Sequence, residues 1–166
     1  MKAKDLIIKE RRNPNLIVCR SFEEYQVARG LVEEYIESLD VSLDFENMEN
    51  ELDRLQEYHG PPTGMISLVR EEGEYVGCLC VRNLGNFTAE IKRMYVRPGY
   101  RGKGLGRKLL RKVMEEAKEL GYRFIRLDTI PTMESAIHLF KSMGFYEIEG
   151  YTYNPLLGAR FMEYKL

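Results

Sequence analysis

The stretch "VRPGYRGKGLGRKLL", residues 96–110, carries four glycines and five basic residues at the entry to a leucine-rich segment. Inside a helix each glycine costs about 1 kcal/mol relative to alanine. Gly102, Gly104 and Gly106 at alternate positions therefore imply a backbone that something approaches closely. The first N–H groups of a helix lack internal partners, and the macrodipole adds partial positive charge there. With Arg101, Lys103 and Arg107 alongside, the chemistry is anion binding, and the glycines let phosphate oxygens reach the amides of residues 101–106. A Walker loop requires Ser or Thr after Gly-Lys, whereas Gly104 follows Lys103. The Rossmann spacing fails as well, because Arg107 stands where its third glycine belongs. Asp128 could imitate the ribose-binding acid of that fold, but the strands that precede the loop read as antiparallel hairpins.

The elements that must position this loop follow from local signals. Residues 1–15 are charged and broken by Pro14, and read as an arm; residues 16–166 read as one domain. "LIVCR" is a short strand, and Ser21 with Glu24 forms a capping-box signature for a helix running to about Leu39. "DFENMENELDRLQEY" reads as one acidic helix that ends before "HGPPTG". "MISLVR" and "YVGCLCVR" are strands joined by the hairpin loop "EEGE", and "TAEIKRMYV" is a third. Leu105, Leu109, Val113, Ala117 and Leu120 recur at helical spacing, with Gly121 closing the helix. "RFIRLD" is the next strand. Thr132 is the expected cap of a shorter helix with the stripe Ala136, Leu139, Phe140 and Met143, and two strands end the chain. Hairpins followed by strand–helix–strand–helix–strand imply a mixed α+β domain, a mostly antiparallel sheet with helices on its faces.

Composition narrows the partners. The 166 residues carry a formal net charge of −1, so a basic site must be local, and neither a nucleic-acid surface nor a membrane surface is expected. No apolar run approaches the roughly 20 residues of a membrane span. Cys19, Cys78 and Cys80 suggest packing residues rather than a metal or disulfide framework, and a reducing cytoplasm is the expected location. His59, beside a Gly-Pro turn, is expected at the surface; His138 lies on the short helix that follows the loop helix.

In "VRPGYRGKGLGRKLL", Arg101, Gly104 and Gly106 fill the Gln/Arg-x-x-Gly-x-Gly/Ala pattern of the GNAT superfamily of N-acetyltransferases, and "SAIHLFKSMGF" resembles that family's second signature. The resemblance covers roughly residues 16–166. It implies that the loop Arg101, Gly102, Lys103, Gly104, Leu105, Gly106 and Arg107 holds the pyrophosphate of acetyl-CoA, with no metal. It also implies that strands 88–96 and 123–128 splay to admit the pantetheine arm. Met94, Tyr95 and Val96 would then offer backbone groups to its amides and polarise the thioester carbonyl. An acceptor amine, on a small molecule, amino acid or peptide, would attack directly. A free alkyl amine has a pKa near ~10 and must shed a proton first. Glu90, with the strand parity of Met94 and Val96, is the candidate base that the resemblance suggests.

Two positions depart from the family. Phe140 occupies the slot of a proton-donating tyrosine, and Met133 that of a usual asparagine. No acid is therefore assigned, although Tyr146, Tyr151 and Tyr153 follow closely. The acidic helix would border the acceptor cleft and "YTYNPLLGARFM" its opposite wall. The alternative is a degenerate domain that binds coenzyme A as a regulatory module, and either reading leaves room for a homodimer.

Overall fold

The computed structural model describes residues 15–166. The arm expected over residues 1–15 lies outside them apart from Asn15, whose carbonyl accepts the Arg70 amide at 2.7 Å. Seven strands form one sheet: β1 (Leu16–Val18), β2 (Met65–Glu71), β3 (Glu74–Gly85), β4 (Thr88–Val96), β5 (Phe124–Thr129), β6 (Tyr146–Ile148) and β7 (Arg160–Lys165). Their order is β1-β2-β3-β4-β5-β7-β6. Every neighbouring pair is antiparallel except β4 and β5. This is the mixed, mostly antiparallel sheet that the sequence implies.

Each face carries its own helices. On one side α1 (Phe22–Glu37) buries Ala28, Leu31 and Val32 against Cys78, Cys80 and Tyr95. Its capping box is formed: the Glu24 amide donates to Ser21 Oγ at 3.2 Å and the Ser21 amide to Glu24 Oε2 at 2.9 Å. On the other side α4 (Leu105–Glu119) buries Leu109, Leu110 and Val113 over Ala89, Ile91, Ile125 and Leu127. Gly121 follows that helix at φ 89°, the left-handed closure its position predicts. The hairpin between β2 and β3 turns on Glu72 and Gly73, both at positive φ, as two-residue loops require.

Two expectations about helices are corrected. The single acidic helix is a 3₁₀ turn (Asp44–Glu46) followed by two short helices, α2 (Met48–Asp53) and α3 (Leu55–His59). It breaks at Asn47, which is left-handed at φ 52°, ψ 54°, and at Arg54, at φ −130°. Asparagine tolerates the left-handed region where most residues do not, and the breaks turn Glu46 and Glu51 toward the sheet. The second is α5 (Glu134–Ser142), which starts after Met133 rather than Thr132, with no side-chain cap. After Pro131 a turn closed by the Met133 amide on the Ile130 carbonyl, at 3.0 Å, carries the chain one residue further.

Candidate acetyl-transfer site

The β4–β5 fork is where the sheet opens. Their parallel pairing covers Thr88↔Phe124, Ala89↔Ile125 and Glu90↔Arg126 and goes no further. Beyond Glu90, β4 has β3 on one side and a cleft on the other. That cleft, about 710 Å³ including its open mouth, is walled by Ile91, Met94, Leu127, Ala136 and Phe140 toward the helix α4 side. Toward α1 it meets Tyr35, Leu43, Phe45, Lys92 and Asp128.

A bulge in β4 decides which side chains face which way. Lys92 pairs with Cys80 and Tyr95 with Cys78, so Arg93 and Met94 together oppose Leu79. Arg93 sits at φ 56°, a region few non-glycine residues enter and one that clusters at functional sites. The extra residue reverses the strand's alternation. Met94 and Val96 pack with Ala89 and Ile91 on the α4 side, while Tyr95 joins the α1 side. Glu90 therefore does not share a face with Met94 and Val96, contrary to the parity argument from sequence. The bulge also sends two consecutive cations, Lys92 and Arg93, to the α1 side.

There they meet the inward-turned acids. Lys92 Nζ donates to Glu46 Oε1 at 2.8 Å and to Asp128 Oδ1 at 3.1 Å, and lies 3.8 Å from Glu90 Oε1. Arg93 donates to Glu46 Oε2 at 2.7 Å and to Glu51 Oε2 at 2.8 Å. Burial alone would lower the Lys92 pKa, but Glu90, Asp128 and Glu46 outweigh it and hold it above the ordinary value. Burial likewise opposes ionisation of Glu51, yet the hydrogen bonds of His59 and Arg93 bring its pKa down to about 2. His59, expected at the surface, is buried instead, with Nε2 2.8 Å from Glu51 Oε1. The acidic segment thus supplies counter-charges beneath α1, since unpaired cations at this depth would be strongly destabilising.

Glu90 is 0% exposed. Its carboxylate accepts Arg82 Nε at 2.7 Å and the Tyr151 hydroxyl at 2.7 Å. Burial and then Glu90 raise the Tyr151 pKa. Tyr146 donates to Glu163, and Tyr153 is exposed, its ring edge-on to Phe45 at 6.1 Å. Phe140 is buried, 5.6 Å from the Phe145 ring, and lines the cleft. His138 is exposed on α5.

The loop residues divide their work. Gly102 and Gly104 take φ 80° and 77°, a conformation side chains rarely adopt. Gly104 is the residue from which α4 springs, with no side chain capping its first amides. Gly106 is helical, and a Cβ there would meet Leu139 Cδ2 at 3.4 Å. Leu105 is buried in the core and leaves only its backbone to the loop. Arg101 Nε donates to the Val96 carbonyl at 2.7 Å, and Arg107 donates to Ser142 Oγ at 2.8 Å. Lys103 extends over the Tyr100 ring at 5.4 Å and is exposed. Among the described residues no group of three or more His, Cys, Asp and Glu could hold a metal ion.

Sequence reasoning missed Lys92, Arg93, Glu46 and Asp128 as a set. One signal was present: two adjacent cations in the middle of the strand "AEIKRMYV". Strict alternation would have put one of them on the apolar α4 face, and only the bulge brings both to the α1 side.

Comparison with known proteins agrees with this architecture. Residues 26–145 match the family model described as the acetyltransferase (GNAT) family. An uncharacterised N-acetyltransferase of Schizosaccharomyces pombe is 36% identical over 138 residues, 82% of this chain and 85% of that protein. A GNAT-family acetyltransferase of Staphylococcus aureus superposes with TM-score 0.73 at 25% identity, covering 90% of this chain and 98% of that one. The yncA protein of Salmonella typhimurium, solved with its cofactor acetyl-CoA, superposes with TM-score 0.63 at 21% identity over 91% and 94% of the two chains. The forked sheet, the glycine loop at the mouth of α4 and the matched family model lead to one conclusion: the chain belongs to the GNAT family of acetyltransferases.

Proposed function

We propose that the protein transfers an acetyl group from acetyl-CoA to an amine of a small molecule, amino acid or peptide, by direct attack. The observation that carries this reading is the parting of β4 from β5 after Glu90↔Arg126. It leaves a strand edge free to pair with an extended amide-bearing arm, as an added strand would. The chain leads from that edge into the left-handed Gly102 and Gly104 and the uncapped start of α4, which suit a pyrophosphate. Met94 to Val96 would hold the arm through their backbone, and residues 101–107 the phosphates. Phe140 and Ala136 would close the cleft against water.

The acetyl donor brings the activated thioester. This chain's part is to bind it, orient it, exclude water and receive the amine's proton. The amine side carries the carboxylates Glu46, Glu51, Glu90 and Asp128 against Lys92, Arg93 and Arg82.

Release of free thiol from acetyl-CoA, followed across a panel of amines with mass-spectrometric detection of product, tests the reaction. Transfer to at least one amine is expected. Calorimetric binding of acetyl-CoA without transfer to any amine would favour the rival reading, a coenzyme-binding regulatory module. Gly106→Val, which keeps a helical φ, should weaken acetyl-CoA binding by about tenfold or more, since a branched side chain pressed on Leu139 would displace the first turn of α4 that offers its amides to the phosphates. Unchanged affinity in a folded Gly106→Val protein would place the coenzyme elsewhere.

A further inference from the structure

We propose that Asp128 accepts the proton lost by the acceptor amine, with Lys92 and Asn154 holding its carboxylate in place. The inference rests on the acetyl-transfer reading above and names a base for it. Ile125 and Leu127 are buried on the α4 side, so the alternation of β5 turns Arg126 and Asp128 to the opposite face. The last parallel pair is Glu90↔Arg126. Lys92 and Asp128 therefore stand one step beyond it on either prong of the fork, and both line the cleft.

Three carboxylates compete for the role. Glu90 is fully buried, and its oxygens serve Arg82 and Tyr151. Glu46 lines the cleft, but one oxygen is bound by Lys92 and the other by Arg93. Two cationic donors make a carboxylate a poorer base than one. Asp128 Oδ1 accepts Lys92 Nζ at 3.1 Å, and Oδ2 accepts the neutral Asn154 Nδ2 at 3.1 Å. A carboxylate offers about four acceptor positions, so lone pairs remain for an incoming N–H. The other groups that bear on Asp128 are Glu46 on the 3₁₀ turn, Glu90 on β4, Tyr35 on α1 and Tyr151 beyond β6.

The step balances as follows. An ammonium proton passes to an Asp128 oxygen, and the freed lone pair forms the N–C bond as the C–S bond breaks. The electron pair leaves on sulfur, which takes a proton from water. Nitrogen's second proton goes to water, and Asp128 releases its own to solvent once the product has left.

The test compares 2-phenylethylamine with its 2,2-difluoro analogue, whose fluorines leave much of it unprotonated near neutral pH. Single-turnover transfer is measured from pH 7 to 10 for wild type, Asp128→Asn and Glu46→Gln, with acetyl-CoA affinity as a control. Asp128→Asn should slow transfer to 2-phenylethylamine by about 100-fold at pH 7, recover as pH rises, and affect the fluorinated amine far less. If that variant does not fold, the paired Lys92→Met/Asp128→Asn protein, which removes one charge of each sign, should show the same dependence on amine basicity. An equal loss for both amines at every pH, no loss at all, or a basicity-dependent loss in Glu46→Gln alone would overturn the assignment. A wild-type protein that transfers to no amine of any kind overturns the reaction itself, and the inference with it.

Discussion

Glu90 illustrates how burial changes a residue's chemistry. On sequence it is an acid on the strand that borders the thioester; in the fold it is a sealed anchor between Arg82 and Tyr151. Glu90→Gln should cost about 1–3 kcal/mol, the usual penalty for a buried partner left unsatisfied, as read by urea denaturation. The relative rates with strongly and weakly basic amines should stay as in wild type. Phe140 can be argued in the same way. Its ring packs on Phe145 and lines the cleft, so Phe140→Tyr should leave turnover within a few-fold of wild type. Phe140→Ala should lose roughly 3–5 kcal/mol of stability by thermal or chemical unfolding. A large gain in rate from Phe140→Tyr would mean that protonation of the leaving thiolate limits the reaction.

At the level of elements, the sequence was legible wherever a local rule decides the outcome. Ser21 and Glu24 announce α1, and Ser21→Ala should lower stability by about 1 kcal/mol in a denaturation experiment. The spacing of Leu105, Leu109 and Val113 announces α4. What could not be read depends on contacts between distant segments. The break at Asn47 is rewarded only because Lys92 and Arg93, some forty residues on, need Glu46 and Glu51. The bulge at Arg93 obeys no alternation rule, so parity taken from Glu90 was carried one residue too far and assigned the wrong face. His59 looks like a turn residue in the sequence because its partner, Glu51, comes within reach only where the acidic segment breaks at Arg54.

For the molecule as a whole, the paired charges under the α1 side tie stability to acid. Glu51 has a folded pKa of about 2 against an ordinary 4.5. Its contribution is present above about pH 4.5 and is lost as pH falls toward 2. Unfolding free energy should therefore drop across that window, and Glu51→Gln, less stable at pH 7, should show a shallower drop. An identical acid profile for both proteins would remove Glu51 as a cause. The one-residue excess in β4 has a further consequence, for recombination. It acts on the sheet as a frameshift acts on a message: every side chain downstream changes sides. A chimera joined within residues 90–95 to a relative lacking that residue would bury the right amino acids on the wrong face. Crossovers placed before Thr88 or after Val96 would keep the strand in phase.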